Sequence, residues 1–334
     1  MGAYELYLKG RYLLALRGGE NLEEAARLFE QAVEIDNSFA AAYASLGKTY
    51  ALLPGYLPVS DSRPFTEKSE AAIDHSLQLD PDQTEALIAR GLNATFYRLA
   101  WDEARAAFEH ALHVNPNDAE VHNLYGDYFR VIGDFANAEK FERRAMELDM
   151  LSDVHVRDLA VLKMTMGRYD EAVAYAQRAL KLHASAIGYD ILVSSQLHVK
   201  NFDAARQAIL HVEALPGVDS ASQTGLWVRY YHAQQDWDRA RPYYEKLKEA
   251  ALSGNVSAAV ASFYALDIEG VETALELMEL AYVGRDYSLT WLIEVSGSPE
   301  KRSTDPRWLA FWERPGLKEL IELRRSNRAE QGEI

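Results

Sequence analysis

The chain has 334 residues and a formal net charge of −16, with 48% hydrophobic and 26% charged residues. This composition is typical of a folded, water-soluble protein rather than a disordered one, and the acidic balance disfavours nucleic acid and anionic membranes as ligands. No apolar run approaches the roughly 20 residues that cross a bilayer, and the absence of cysteine excludes disulfides, cysteine-bound zinc and thiol catalysis.

Eight segments along the chain share one spacing of small residues. Each opens with an aromatic, aliphatic or threonine residue, has a small residue three places later and usually another seven places further on. The first interval, of 44 residues, contains "LPGYLPVSDSRP" (53–64), whose three prolines indicate an inserted loop; the other intervals are 33 to 35 residues. The first small residues of the eight segments are Ala25, Ser69, Ala104, Ala138, Ala172, Ala205, Ala240 and Ala274.

A second helical pattern precedes each segment. Gly133 and Gly167 stand two places before the aromatic residue that opens the next segment, where a helix C-cap with positive φ is expected. The unit is therefore predicted to be a helix, a tight turn, a second helix and a short link. Small residues such as Ala104 and Ala111, two helical turns apart, let the two antiparallel helices approach closely. The aromatic residues that open the second helices are predicted to be buried: Trp101, Phe135, Tyr169, Phe202 and Trp237.

This pattern resembles the tetratricopeptide repeat family. The match is close in the fourth unit, with Tyr125, Gly126, Phe129, Gly133, Phe135, Ala138 and Ala145. The resemblance covers roughly residues 4 to 285 and implies an all-α fold, a right-handed superhelical α-solenoid of about eight helix-turn-helix repeats. The predicted repeats span residues 4–38, 40–82, 84–117, 119–151, 153–185, 186–218, 221–253 and 255–286.

Residues 287–334 do not repeat and are predicted to form a C-terminal helical capping segment, because the last repeat of an array leaves an apolar face uncovered. If this tail, with Trp308 and Trp312, did not fold back, it could join copies of the chain into a homo-oligomer. Its "DPRW" and the opening "AYELYLKGRYLL" resemble the tetratricopeptide regions of bacterial one-component DNA-binding and nucleotide-cyclase regulators. That resemblance implies the regulatory or sensing arm of a longer protein.

The sequence contains none of four common catalytic or cofactor-binding motifs: a phosphate-binding loop, a dinucleotide fingerprint, a zinc-protease motif or a nucleophile elbow. His110 and His113 share a helix face at a spacing that can hold a metal, but no third ligand is evident, and we interpret them as solvated. Most carboxylates follow helix starts or precede links, where they complement the helix dipole. We therefore predict no catalytic residue, no metal and no cofactor, in a chain that is not an enzyme.

The resemblance implies that the first helices of the repeats line a concave groove that binds segments of other proteins. The segment 226–237 is rich in aromatic and arginine residues, which often anchor a binding surface. From the repeat register, the candidate partner-binding residues are Tyr7, Arg11, Lys48, Phe96, Asn123, Asp127, Arg130, Arg157, Asp158, Asp190, Ser194, His198, Arg229, Tyr231 and His232.

Three functions remain open. A non-catalytic scaffold that binds a peptide or partner protein would present a polar and aromatic groove without a deep, dry pocket. A small-ligand or signal-peptide receptor would use the same groove. An enzyme, the reading we favour least, would need acids or histidines with shifted pKa values in an enclosed cavity. The start "MGAYELYLKG" has no apolar leader, so we expect a cytoplasmic protein.

Overall fold

The structure of the protein, a computed structural model, describes residues 2–215, 218, 220–296 and 299–332. Within these residues the chain is helical and has no strand. This confirms the predicted fold class, an all-α solenoid of repeated helix pairs. The antiparallel hairpins are α1 (Ala3–Leu16) with α2 (Gly19–Ile35), α3 (Ala40–Leu52) with α4 (Arg63–Leu79), α5 (Thr84–Asn93) with α6 (Trp101–Val114), α7 (Ala119–Val131) with α8 (Phe135–Leu148), α9 (Asp153–Thr165) with α10 (Tyr169–Leu182), α11 (Ala186–His198) with α12 (Phe202–Ala214), α13 (Ser220–Ala233) with α14 (Trp237–Leu252), and α15 (Ala258–Ile268) with α16 (Val271–Val283).

Four further helices form the tail: α17 (Leu289–Ser296), α18 (Pro299–Arg302), α19 (Pro306–Phe311) and α20 (Leu317–Glu330). Two irregular turns extend first helices. A 3₁₀ turn at Leu53–Gly55 follows α3, and a π-helical turn at Ala94–Arg98 follows α5. None of the described helices has the length and hydropathy that a membrane span would require.

The small residues of the sequence pattern lie where the helices of each hairpin touch. All eight, from Ala25 to Ala274, are 0% exposed. The paired helices approach so closely that only glycine fits opposite an aromatic ring. A Cβ on Gly91 of α5 would lie 2.6 Å from Cζ of Phe108 on α6. Apolar burial across these contacts, repeated along the array, is the main source of stability, since a single hairpin cannot cover its own apolar face.

The fourth hairpin places a carboxyl group where the first and third place an aromatic ring. Glu142 on α8 occupies the position of Phe29 and Phe108, and a Cβ on the facing Gly126 would lie 2.6 Å from its Cγ. Glu142 is fully buried, and neither carboxyl oxygen has a hydrogen-bond partner among the described residues. Burial, with the nearby charge of Asp127, raises the pKa of Glu142 well above its usual value, which favours the protonated, neutral form.

The turns within the third to seventh hairpins share one backbone feature, a positive φ two places before the second helix. Gly133 and Gly167 have φ of 78° and 74°, which confirms the positive φ predicted for these C-caps. At the same position before the second helix, Leu99, Lys200 and Gln235 also have positive φ, between 52° and 59°. Left-handed backbone is unfavourable for residues with a Cβ, so the packing of the paired helices imposes the turn even where glycine is missing.

The inserted loop of the second hairpin closes the array on itself. The backbone N–H of Ser62 donates to the carbonyl oxygen of Gly284 at 2.8 Å, and that of Ser60 to Gly254 at 3.4 Å. A Cβ on Gly55 would lie 3.5 Å from the ring of Tyr287. The second hairpin therefore contacts the ends of the seventh and eighth hairpins, and the concave face encloses a central space.

The tail folds back across the array rather than covering only its last repeat. Trp308 and Trp312 are buried, so the condition under which we expected self-association through this segment is not met. The indole N–H of Trp101 donates to the carbonyl oxygen of Gly316 at 2.9 Å. Arg324 on α20 donates to carbonyl oxygens at the end of α7, the shorter bond being 2.6 Å. The tail thus covers the third and fourth hairpins.

This path of the tail explains why one prediction is confirmed at two positions and fails at the others. The aromatics that open the second helices were expected to be buried, and Trp101 and Phe135, which the tail covers, are only 6% and 3% exposed. Tyr169 and Phe202 are half-buried, and Trp237 is 39% exposed. The equivalent positions differ because only the third and fourth hairpins have the tail against this edge.

Candidate functional site

The concave face holds a central cavity of about 630 Å³. Its walls come from the first helices α5, α7, α9, α11 and α13, from the inserted loop after α3, and from α17 of the tail. Because α17 lines part of the concave face, the site is a partly enclosed cavity, whereas the sequence predicted an open groove. The cavity is wide enough for a drug-sized ligand.

Arginine and tyrosine side chains lie at one end of the cavity. Arg17, in the turn after α1, and Arg157, on α9, both line it beside Tyr56 of the inserted loop. Arg17 donates through Nη2 to Oε1 of Glu120 at 2.7 Å, whereas its Nη1 is buried without a partner. Arg157 makes only long contacts, through Nε to Asp158 at 3.4 Å and through Nη2 to the Tyr56 hydroxyl at 3.5 Å.

A buried ion network holds Arg17 in place. Lys48, which is 3% exposed, donates to Glu120 at 2.7 Å and also pairs with Glu85. Burial disfavours the charge of Glu120, but Lys48 and Arg17 together outweigh it and hold the pKa of that carboxyl well below its usual range. The network is therefore ionised and rigid around neutral pH, and it fixes the turn that carries Arg17.

The middle of the cavity is acidic. Asp127 on α7 accepts from Arg130 Nη2 at 2.9 Å, and Arg130 also pairs with Glu294 of the tail. Burial, supported by the charge of Asp158, raises the pKa of Asp127 to about 6 although Arg130 opposes the shift. Asn123 Nδ2 donates to Asp158 at 3.1 Å. Arg130 thus joins α7 to the tail through Glu294, and Asp127 on the same helix holds its guanidinium group.

Another part of the cavity wall is built on α11 and α13. Arg229 pairs with Asp190 at 3.0 Å and bonds the Ser194 hydroxyl. The His198 ring stacks on Tyr169, with ring centroids 4.6 Å apart. This part combines a paired arginine with aromatic surface, and it contrasts with the unpaired donors around Arg17.

The predicted partner-binding residues divide into two groups. Those that line the cavity are Phe96, Asn123, Asp127, Arg130, Arg157, Asp158, Asp190, Ser194, His198 and Arg229. The other five lie elsewhere. Tyr7 packs on Phe39, Arg11 contacts Glu85 at 3.3 Å, Lys48 is buried in the ion network, Tyr231 stacks on Trp227 and Tyr243, and His232 contacts Asp267 at 2.8 Å.

Several cavity residues were missed in the sequence. Those outside the first helices include Arg17, Tyr56, Tyr287, Trp291 and Glu294. They belong to a turn, the inserted loop and the tail, whereas the register of the repeats identifies first helices only. The inserted loop was visible as an irregular interval, but nothing in its sequence indicates that it meets the far end of the array.

His110 and His113 have different surroundings in the structure. His110 Nε2 contacts Asp82 at 2.8 Å, and His113 is exposed. Among the described residues, no group of three or more His, Asp or Glu side chains could hold a metal ion.

Comparisons with known proteins agree with the fold. Residues 96–152 and 157–217 match the family model of the tetratricopeptide repeat. A search of curated proteins gives no significant match. Among solved structures, a human IFIT1 dimer with PPP-AAAA is 15% identical, with a TM-score of 0.60 over 90% of this chain and 69% of that one.

Two further structures cover most of the chain. Yeast Tom70 is 15% identical, with a TM-score of 0.52, over 99% of this chain and 65% of that one. A tetratricopeptide repeat protein from Parabacteroides merdae is 16% identical, with a TM-score of 0.50, over 84% of this chain and 98% of that one. Such low identities show the fold alone. The matched segments show tetratricopeptide repeats in residues 96–152 and 157–217, and the array of close-packed hairpins has the same fold as these structures.

Proposed function

We propose that this chain is a non-catalytic interaction module that binds a short segment of a partner protein inside the central cavity. The fold supports a protein-interaction role in general. The observation that carries the finer proposal is the cavity itself, whose polar and aromatic walls come from five successive first helices. A long peptide lying along an open groove is disfavoured, because α17 occupies part of the concave face.

The charges of the cavity support binding over catalysis. The four acids of its walls are each in contact with an arginine: Asp127 and Glu294 with Arg130, Asp158 with Arg157, and Asp190 with Arg229. Asp127 has the raised pKa that an acid catalyst would need, but its bond to Arg130 ties it to the junction with the tail. We therefore assign these groups to orientation of a ligand.

A second candidate is a small-ligand or signal-peptide receptor. Enclosure by the tail favours it, because a cavity of about 630 Å³ lies in the range of sites that bury most of a drug-sized molecule. In either case the chain would serve as the sensing arm of a larger regulator. Binding of the ligand would be transmitted to the tail through the contact between Arg130 and Glu294.

The test compares two methionines. Met164 on α9 lines the cavity, whereas Met150 is 66% exposed beyond α8. Short displayed peptides and a library of small molecules are screened for binding to the unmodified chain, and every hit is measured again on Met164→Trp and Met150→Trp. We expect Met164→Trp to abolish binding and Met150→Trp to leave it unchanged, with circular dichroism confirming that both fold.

Peptide hits that depend on Met164 support the interaction module. Small molecules that depend on Met164, with no such peptide, would favour the receptor instead. Hits that bind Met164→Trp as tightly as the unmodified chain would place the binding surface outside the cavity and overturn both proposals.

A further inference from the structure

Two arginines from distant parts of the chain meet at one end of the central cavity. Arg17 and Arg157 both line the wall, and the charge of Arg157 is close enough to oppose ionisation of Arg17. Tyr56 contributes a hydroxyl group between them, at 3.5 Å from Arg157 Nη2. Two like charges held together in a largely buried place repel each other, so an anion between them would be stabilised.

The protein leaves one donor of Arg17 unsatisfied and gives Arg157 only long hydrogen bonds. A guanidinium carries five N–H donors. Arg17 Nη1 is buried without a partner, and the two contacts of Arg157, at 3.4 and 3.5 Å, are well beyond the roughly 2.7–2.9 Å of a charge-assisted hydrogen bond. Unsatisfied buried donors are costly, and they persist where a ligand supplies the acceptors.

The neighbouring carboxylates are already engaged. Glu120 accepts from Arg17 and from Lys48, both at 2.7 Å. Asp158 accepts from Asn123 at 3.1 Å, which leaves it a single long contact with Arg157. No carboxylate in this contact network is therefore available to accept further hydrogen bonds from Arg17 or Arg157.

We propose that Arg17, Tyr56 and Arg157 form an oxyanion site that receives a carboxylate or phosphate group of the ligand. The proposal rests on the function proposed above, since it assumes that the ligand enters the central cavity. Arg17 Nη1 and the guanidinium of Arg157 donate to the oxyanion from two sides, and the Tyr56 hydroxyl donates a third bond. The planar fork of arginine suits both kinds of oxyanion.

The inserted loop has a role in this site. It brings Tyr56 to the arginines, and its contacts with Gly254 and Gly284 tie it to the far end of the array. The position of the hydroxyl therefore depends on the contacts that close the array.

The experiment titrates the full chain with inorganic phosphate in one arm and with succinate in the other, by calorimetry at constant ionic strength. We expect saturable binding of at least one probe, and the tighter one identifies the group. Arg157→Gln should weaken it about 10-fold or more, because a hydrogen bond to a charged group is lost. Tyr56→Phe should weaken it by less, and Arg239→Gln, which removes an exposed arginine, should have no effect.

Arg157→Lys provides a second variant in case Arg157→Gln does not fold. It keeps the charge and removes the fork, so binding should be weaker than in the unmodified chain. Equal binding by the unmodified chain, Arg157→Lys and Tyr56→Phe, or no binding of either probe, would overturn the oxyanion site. In that case, peptides that still depend on Met164 would leave the interaction module intact. Phosphate or succinate bound through Arg157, with no peptide hit, would contradict the peptide proposal alone.

Discussion

Replacing Glu142 with methionine should stabilise this protein at neutral pH. Methionine has nearly the length of glutamate and needs no hydrogen bond, and the equivalent positions of the first and third hairpins are the apolar Phe29 and Phe108. Burial raises the pKa of Glu142 well above its usual value. The unfolded chain ionises the carboxyl at neutral pH, whereas the folded chain must keep the proton.

The magnitude follows from this proton uptake. Below the unfolded pKa of 4.5 the group is neutral in both states, and the penalty is absent. As the pH rises above that value, stability falls by about 1.4 kcal/mol per pH unit until the pH reaches the folded pKa. If the carboxyl stays protonated at pH 7, the loss is about 3 kcal/mol, and methionine would recover it.

Urea unfolding of the unmodified chain, Glu142→Met and Glu142→Gln, at about pH 5 and about pH 7, measures the effect. The gap in free energy of unfolding between Glu142→Met and the unmodified chain should widen with pH. Glu142→Gln, which cannot ionise but buries an amide, should lose the pH dependence without the full gain in stability. A gap that is the same at both pH values would show that Glu142 is ionised in the folded chain and refute the reasoning.

Three further outcomes are expected. Ala104→Leu should overpack the third hairpin and lower the free energy of unfolding by about 1–3 kcal/mol, whereas Ala106→Leu, on the exposed face of the same helix, should change it little. Arg324→Met should release α20 by removing charged hydrogen bonds worth about 2 kcal/mol, seen as faster hydrogen exchange in that helix and not in α2. Glu139→Gln should lower the free energy of unfolding by about 3 kcal/mol, because Lys163 is 0% exposed and bonds Glu139 at 2.6 Å. Adding Lys163→Met should restore most of that stability. A double variant that is no more stable than Glu139→Gln alone would contradict this account.

The repeat itself could be predicted because it depends on local spacing. The contact between paired helices requires a small residue at one place on the helix face. Positions such as Ala104 and Ala138 therefore make the fold recognisable in the sequence. The turn glycines Gly133 and Gly167 are recognisable for the same reason. Each of these features involves residues within one hairpin.

The parts that sequence reasoning missed involve segments far apart in the chain. Trp101 is covered by a tail 215 residues away, whereas Trp237 at the equivalent position is not. Glu142 looks like a surface residue in a helix rich in charge, and only the facing Gly126 reveals that it is inside. The site was likewise incomplete, because the register indicates which helices are concave and not which loop or tail comes to meet them.

Closure by the inserted loop and the tail changes how the chain should fold. In an open solenoid, each repeat contacts only its neighbours. Folding can therefore nucleate in any repeat and spread along the array, and the repeats at the ends fray. In this chain, the second hairpin is bonded to the eighth through Ser62 and Gly284, so these two hairpins protect each other. Closing such a long loop costs conformational entropy, and this cost comes before those bonds form. Folding should therefore be slower than for an unclosed array of equal length, and unfolding more nearly all-or-none.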